Sequence, residues 1–277
     1  MALIHVDFFS AALMRTVSAK VIIPSDKYID ATTSVEFPEK YKTLYLLHGV
    51  FGNDIDWISG TRLQAFAESK NIVVVMPSGE NKFYVDNETS GDRFGEYIGK
   101  ELVEFTRRTF PLSDKREDTF IGGLSMGGYG ALRNGLKYSD TFGRICALSA
   151  ALVIERFRNA DNSSPNLIDR RSFYESNWGP FDEINGSDKD YYALAEKLQE
   201  EQRPKIYMAC GAQDSLSVEN RQYASFLKDR GYDITYEEWT GKHDWIFWDE
   251  CVSKMLDWLP LDEFKMGIGS GNTKANE

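Results

Sequence analysis

Apolar positions along the chain fall into two kinds of run. Residues 3–10 and 15–23 interleave Val, Ile, Phe and Ala with polar neighbours, and Pro24 closes the second run. They predict two antiparallel strands, followed by a polar connection over 25–42. From residue 43 onward the runs are short and mostly apolar throughout: TLYLLHG (43–49), IVVVMP (72–77), DTFIGG (118–123), RICALSA (144–150) and KIYMACG (205–211), with ITYEEW (234–239) last. Such runs suit strands buried on both faces of a sheet. Segments with helical spacing lie between or after them, at 57–69, 93–109, 125–137, 189–200, 218–230 and 247–258. The expected fold is therefore α/β, with about eight strands, mostly parallel after an antiparallel start, and helices covering both faces.

Residues 151–188 break this rhythm. They contain NADNSSPN and NWGPFDEING, both loop-forming, and are too short for a core of their own. The pattern predicts one domain over residues 1–263, with this stretch inserted over one end of the sheet. The Gly-, Asn- and Lys-containing stretch 264–277 is expected to be a flexible tail.

Composition narrows the functional classes. A chain of 277 residues can bury roughly three quarters of its unfolded surface, and 42% hydrophobic with 27% charged residues argues against a disordered chain. The net charge of -11 discourages a nucleic-acid surface without naming any other partner. Cys146, Cys210 and Cys251 form no C-x-x-C pair and read as buried thiols. Asp7 interrupts the first apolar run, so no signal peptide is read there, and no run reaches the length of a membrane span. A cytoplasmic location is expected, although a mature secreted chain would look the same. His5, His48 and His243 are the only histidines and lie far apart, which disfavours a histidine metal cluster.

The strongest chemical signal is Gly123-Leu124-Ser125-Met126-Gly127, between an apolar strand and a helical segment. That setting is the strand–turn–helix of a nucleophile elbow, with Ser125 exposed above the carboxyl end of the sheet. A serine hydroxyl needs a base. His5 lies in the first strand, far from that edge, and His48 is better suited to holding its loop by hydrogen bonds. His243, after the last strand, is the preferred base. Asp214, after strand 205–211, is placed to orient it; Asp244 is too close in sequence to do so, and Asp182, Asp188 and Asp190 are weaker alternatives. The chain order Ser125, Asp214, His243 is that of the α/β hydrolases. In Leu47-His48-Gly49-Val50, the Val50 N–H can converge with the Met126 N–H as an oxyanion hole.

These residues resemble the esterase D branch of the α/β hydrolases, which includes S-formylglutathione hydrolases, bacterial tributyrin esterases, and feruloyl or acetylxylan esterase-like proteins. The resemblance is nearest to the tributyrin esterases and spans roughly residues 3–260. It rests on LLHG (46–49), GLSMGG (123–128), GAQD (211–214) and GKHDWIFWDECV (241–252). It implies hydrolysis of short acyl esters through Ser125, Asp214 and His243, with Val50 and Met126 as oxyanion donors and no metal or cofactor. LLHGVFGN lacks the SGLTC-type segment of eukaryotic S-formylglutathione hydrolases, which weighs against formaldehyde detoxification. A feruloyl or acetylxylan-type esterase and a thioesterase are the alternative readings; a non-catalytic binding protein would be expected to lack one of the three residues. Phe51, Trp57, Trp178 and Trp245 are candidates for lining the pocket, with core packing equally open to each; Phe83 and Tyr84 are candidates for contacting an aryl or sugar group. The expected partners are a small acyl-ester substrate and a second copy of the chain, with neither nucleic acid nor membrane.

Overall fold

The computed structural model describes residues 1–26 and 37–261. Its strands in chain order are β1 (Ala2–Ser10), β2 (Arg15–Ile23), β3 (Thr43–Leu47), β4 (Val73–Pro77), β5 (Asp86–Asn87), β6 (Asp92–Arg93), β7 (Thr119–Leu124), β8 (Arg144–Leu148), β9 (Lys205–Gly211) and β10 (Ile234–Trp239). All but β5 and β6 join one sheet of order β1-β2-β4-β3-β7-β8-β9-β10. β2 is antiparallel to both neighbours; every later pair in that order is parallel. β5 and β6 form a small separate ribbon.

The helices are α1 (Asp56–Gly60), α2 (Leu63–Ser69), α3 (Phe94–Glu96), α4 (Leu102–Thr109), α5 (Met126–Lys137), α6 (Ile154–Arg158), α7 (Arg171–Trp178), α8 (Tyr191–Lys197), α9 (Ser217–Asp229) and α10 (Trp245–Trp258). The all-apolar strands feed two cores at once. In β3, Leu44 and Leu46 join the cluster under α1, α2 and α10, while Tyr45 and Leu47 join the cluster under α4, α5, α8 and α9. Burial on both faces explains why these strands carry no polar alternation.

Two helices depart from expectation. The 57–69 segment is two helices that part at Thr61, next to Gly60, where a β-carbon would collide with the Trp245 ring. Thr61 turns extended, accepts the Leu63 N–H at 3.1 Å and donates to the Trp57 carbonyl at 2.6 Å, which restarts the helix. The 93–109 segment contains a π-helical turn, Tyr97–Glu101, where Gly99 lies against the Tyr138 ring. The last helix begins at Trp245 because the Asp244 carboxylate accepts the Phe247 N–H at 3.0 Å. In the 151–188 segment, α6 and α7 carry apolar side chains into the α5 side of the core. The predicted tail lies outside the described residues.

The three cysteines are buried free thiols. Among the described residues, no group of three or more potential ligands could hold a metal ion, and no helix is long and apolar enough to cross a membrane.

Candidate active site

β7 and α5 meet at Ser125, whose φ of 53° and ψ of -117° lie in a region that side chains rarely occupy. The strain is sustained by backbone packed against backbone. A β-carbon at Gly123 would strike the Gly127 carbonyl, and one at Gly127 would strike the Leu47 carbonyl oxygen. Only glycine lets the turn close this tightly. The Ser125 carbonyl is also fixed, accepting N–H groups from Tyr129 at 3.1 Å and Ala151 at 2.9 Å.

The ends of β9 and β10 carry the other two side chains. Their loops are bound to each other: Ala212 N–H donates to the Trp239 carbonyl at 2.8 Å, Gln213 N–H to the Gly241 carbonyl at 3.0 Å, and Gly241 N–H to Gln213 Oε1 at 2.9 Å. This lacing brings His243 Nδ1 to 2.8 Å from Asp214 Oδ2 and His243 Nε2 to 3.1 Å from Ser125 Oγ. With Nδ1 donating to the carboxylate, Nε2 is left as acceptor for the serine proton. The Asp214 side chain is fully buried, while the His243 ring is 34% exposed. Burial pushes the Asp214 carboxyl upward, but the bonds and charge of His243 and the Leu216 N–H, at 2.9 Å from Oδ1, outweigh it and hold it below the usual carboxylate range.

The loop after β3 faces Ser125. Gly49 lies so close that a β-carbon would stand 3.5 Å from Ser125 Cβ. Among the described residues, neither the Val50 N–H nor the Met126 N–H has a hydrogen-bond acceptor. His48 braces this loop: Nδ1 donates to the Gly49 carbonyl at 2.7 Å, and Nε2 accepts the Gly79 N–H at 2.8 Å. Burial lowers its pKa, favouring the neutral ring these two bonds require. The Tyr84 hydroxyl donates to the His48 carbonyl at 2.9 Å, so Tyr84 is a buried strut and does not face a ligand.

Ser125 and His243 open into a cavity of about 370 Å³, walled by Val50, Phe51, Phe83, Phe157, Tyr174 and Trp248 among others. Phe51 and Phe83 belong to this wall. Trp57 does not: it is 1% exposed and donates its indole N–H to the Leu47 carbonyl at 3.1 Å, beneath the sheet edge. Trp178 is equally buried, packed behind Phe83 with ring centroids 4.9 Å apart. Trp245 lines a different cleft with Arg62 and Ile246; one helical turn on, Trp248 reaches the cavity and sets its ring edge-on to His243 at 4.9 Å. Ser149, which follows β8, was not singled out from the sequence, although its place at a strand end is a signal that could have found it. Its φ of 44° aims Oγ at the Asp214 carboxylate, and Trp248 Nε1 donates to it at 3.2 Å.

A serine on a strained strand-to-helix turn, hydrogen-bonded to a histidine that meets an aspartate, both on later strand ends of a mostly parallel sheet, is the arrangement of the α/β-hydrolase class. The family model described as "Putative esterase" matches residues 10–259, and the chain belongs to this esterase family. It is 45% identical to an acetyl esterase of Caldicellulosiruptor saccharolyticus over 94% of this chain and 98% of the relative. Among solved structures it is similar to fluorophosphonate-binding serine hydrolase F (FphF) of Staphylococcus aureus, with TM-score 0.80, 28% identity and coverage of 93% and 98% of the two chains. The S-formylglutathione hydrolase FrmB from the same organism gives TM-score 0.77 and 27% identity, also covering 93% of this chain and 98% of FrmB. The chain is a serine carboxylic-ester hydrolase of the esterase D, FrmB-like branch.

Proposed function

We propose that this chain hydrolyses short-chain acyl esters, acetyl esters foremost, through a Ser125–His243–Asp214 triad and a covalent acyl-enzyme. The observation that carries the reading is the relay of 2.8 and 3.1 Å contacts from Asp214 through His243 to Ser125. His243 Nε2 takes the Ser125 proton as Oγ bonds to the ester carbonyl carbon. The Val50 and Met126 N–H groups receive the negative charge that develops on the carbonyl oxygen. The protonated ring then gives its proton to the departing alcohol, leaving acylated Ser125. Water, deprotonated by the same nitrogen, attacks the acyl carbon and releases the carboxylic acid and free Ser125. Asp214 stays ionised throughout, in keeping with its depressed pKa.

The acyl preference draws support from the acetyl esterase relative and from a cavity of about 370 Å³ walled in part by aromatic rings. Turnover of p-nitrophenyl acetate, butyrate and octanoate should fall along that series. Ser125→Ala should lower it by about four orders of magnitude or more. A fluorophosphonate should leave its phosphonyl group, with loss of fluoride and the serine proton, on a peptide containing Ser125. Wild-type turnover by Ser125→Ala would overturn the mechanism, and a preference for octanoate or for a thioester would overturn the substrate assignment.

A further inference from the structure

The parallel strands begin at the edge of the sheet opposite Ser125, and positive charge gathers at their first residues. Arg116 stands just before β7, Arg144 opens β8, Arg203 stands just before β9, and Lys205 opens it. All four line a cavity of about 340 Å³. The whole chain has a net charge of -11, so this clustering runs against its composition. Arg144 and Lys205 are register partners on adjacent strands, where like charges side by side repel. Glu117 and Asp118 share the wall, but among the described residues neither forms an ion pair; Asp118 Oδ2 accepts the Ser113 hydroxyl at 2.7 Å.

The four cations are compensated unequally. Lys205 meets the Asp233 carboxylate at 2.7 Å. Arg116 donates to the Ser139 and Gln202 carbonyls at 2.5 and 2.9 Å, and Arg203 to those of Leu198 and Arg230 at 3.3 and 2.9 Å. Carbonyls orient a guanidinium without cancelling its charge. Arg144 has less still. It is half-buried, its guanidinium lies 4.8 Å from the centroid of the Trp258 ring, and among the described residues it makes no hydrogen bond or ion pair. The ring face attracts the cation but supplies no oxygen to accept its N–H groups. Burial accordingly pulls the Arg144 pKa down.

We propose that this cavity binds a small phosphate-bearing anion, with Arg144 as its principal donor. Such a ligand supplies the charge that the wall lacks and the oxygens that the Arg144 N–H groups lack. A guanidinium fork matches two phosphate oxygens, and three guanidinium groups share this wall. The tetrahedral oxygens of phosphate can accept from several strand starts at once, which a planar carboxylate does less well. The proposal is independent of the catalytic reading, because Ser125 and Asp214 follow the far ends of β7 and β9.

Titration of the full chain in a chloride buffer tests it, with inorganic phosphate, glycerol 3-phosphate and succinate as probes. The expected result is one phosphate-bearing probe per chain, bound about fivefold or more tighter than succinate, a dianion without phosphorus. Arg144→Gln should raise the dissociation constant by about tenfold or more. Glu117→Gln, which removes a negative charge from the wall, should lower it by about twofold. Ester turnover, which reports the fold, should be unchanged in both variants. A preference for glycerol 3-phosphate would identify the ligand as an organic phosphate, and the reverse order as the free ion; either upholds the site. Failure of both phosphates to bind below about 10 mM would overturn the proposal. So would equal affinity for succinate, or an Arg144→Gln chain that binds phosphate as tightly as the original.

Discussion

Around Ser125 the chain is held by backbone against backbone, whereas the cover over the cavity, residues 151–188, is held by rings and ion pairs. At the turn, the Gly123 and Gly127 positions leave no room for a β-carbon against neighbouring carbonyls. In the cover, Phe157 stacks on Tyr174 at 3.9 Å, Tyr174 tilts on Trp178 at 5.1 Å, and Arg158 and Arg171 reach carbonyls of other turns at 2.6–2.7 Å. The buried Arg133 on α5 pairs with Asp188, at the end of this segment, and with Asp86 of β5, tying both to the serine helix. Rings can repack and ion pairs can re-form, but a carbonyl pressed on a glycine cannot yield. The chemistry should therefore tolerate almost no change, and the cover should tolerate much.

The sharpest break on the catalytic side is Asp214→Asn. The amide can still meet His243 but favours the wrong tautomer, leaving no free Nε2 lone pair toward Ser125. Turnover of p-nitrophenyl acetate should fall about 10⁴-fold with the fold intact by circular dichroism. A loss below tenfold would remove Asp214 from the acid's role. Next in size is Gly127→Ala, which must move the Leu47 carbonyl and with it the loop that presents Val50. It should cost about 1–3 kcal/mol in unfolding free energy, with turnover falling by more than that loss of stability explains. An alanine that left both quantities unchanged would show that the turn has slack, and the contrast with the cover would fail.

The same contrast explains what could be read from the sequence. The strands at 43–47, 73–77, 119–124, 144–148 and 205–211 were legible because burial on both faces leaves an unmistakable apolar run. Ser125 and Asp214 could be nominated because each follows such a run, at the end where loops gather, and His243 because it follows the half-buried last strand, 234–239, at the same end. Position along the chain said less about aromatic residues. Trp57 and Trp178 were as good pocket candidates as Phe51, yet both are core, while Phe157 and Tyr174 reach the cavity from a segment without periodicity. A ring serves either setting, and only the packing of α6 and α7 on the sheet decides. The break after Gly60 was hidden for a different reason: it falls at Thr61, whose hydroxyl donates to the Trp57 carbonyl and accepts the Leu63 N–H, an exchange that apolar spacing does not register.

A smaller effect tests, through pH, how His48 braces the loop after β3. His48 is buried and neutral with a lowered pKa, so on acidification the unfolded chain takes up its proton before the folded one does. Stability contributed by the neutral site is thus complete above the ordinary histidine range and falls as pH drops through about 6.5 toward the lower folded value. The limiting slope is about 1.4 kcal/mol per pH unit for one proton. His48→Gln, whose amide can still accept the Gly79 N–H, should be less stable at neutral pH but should lose less of its stability between pH 7 and pH 5. Equal slopes for both proteins would mean that the folded chain takes up the His48 proton as readily as the unfolded one, contrary to the two hydrogen bonds that hold the neutral ring.

The mildest change falls where the two regions meet. Phe51 sits next to Val50, has a φ of 70° and lines the cavity, yet its side chain is 75% exposed and its N–H is held by Asn81 Oδ1 at 2.8 Å. If the ring belongs functionally with the cover, Phe51→Ala should leave stability within about 0.5 kcal/mol, because little is buried. The backbone anchor to Asn81 is untouched, so kcat for p-nitrophenyl acetate should be unchanged, while KM for butyrate should rise by about threefold as apolar contact is lost. A fall in kcat of the same size for acetate and butyrate would give the opposite result. It would mean that the ring holds the loop in place, and that the unyielding region extends from the glycines of the serine turn out to the mouth of the cavity.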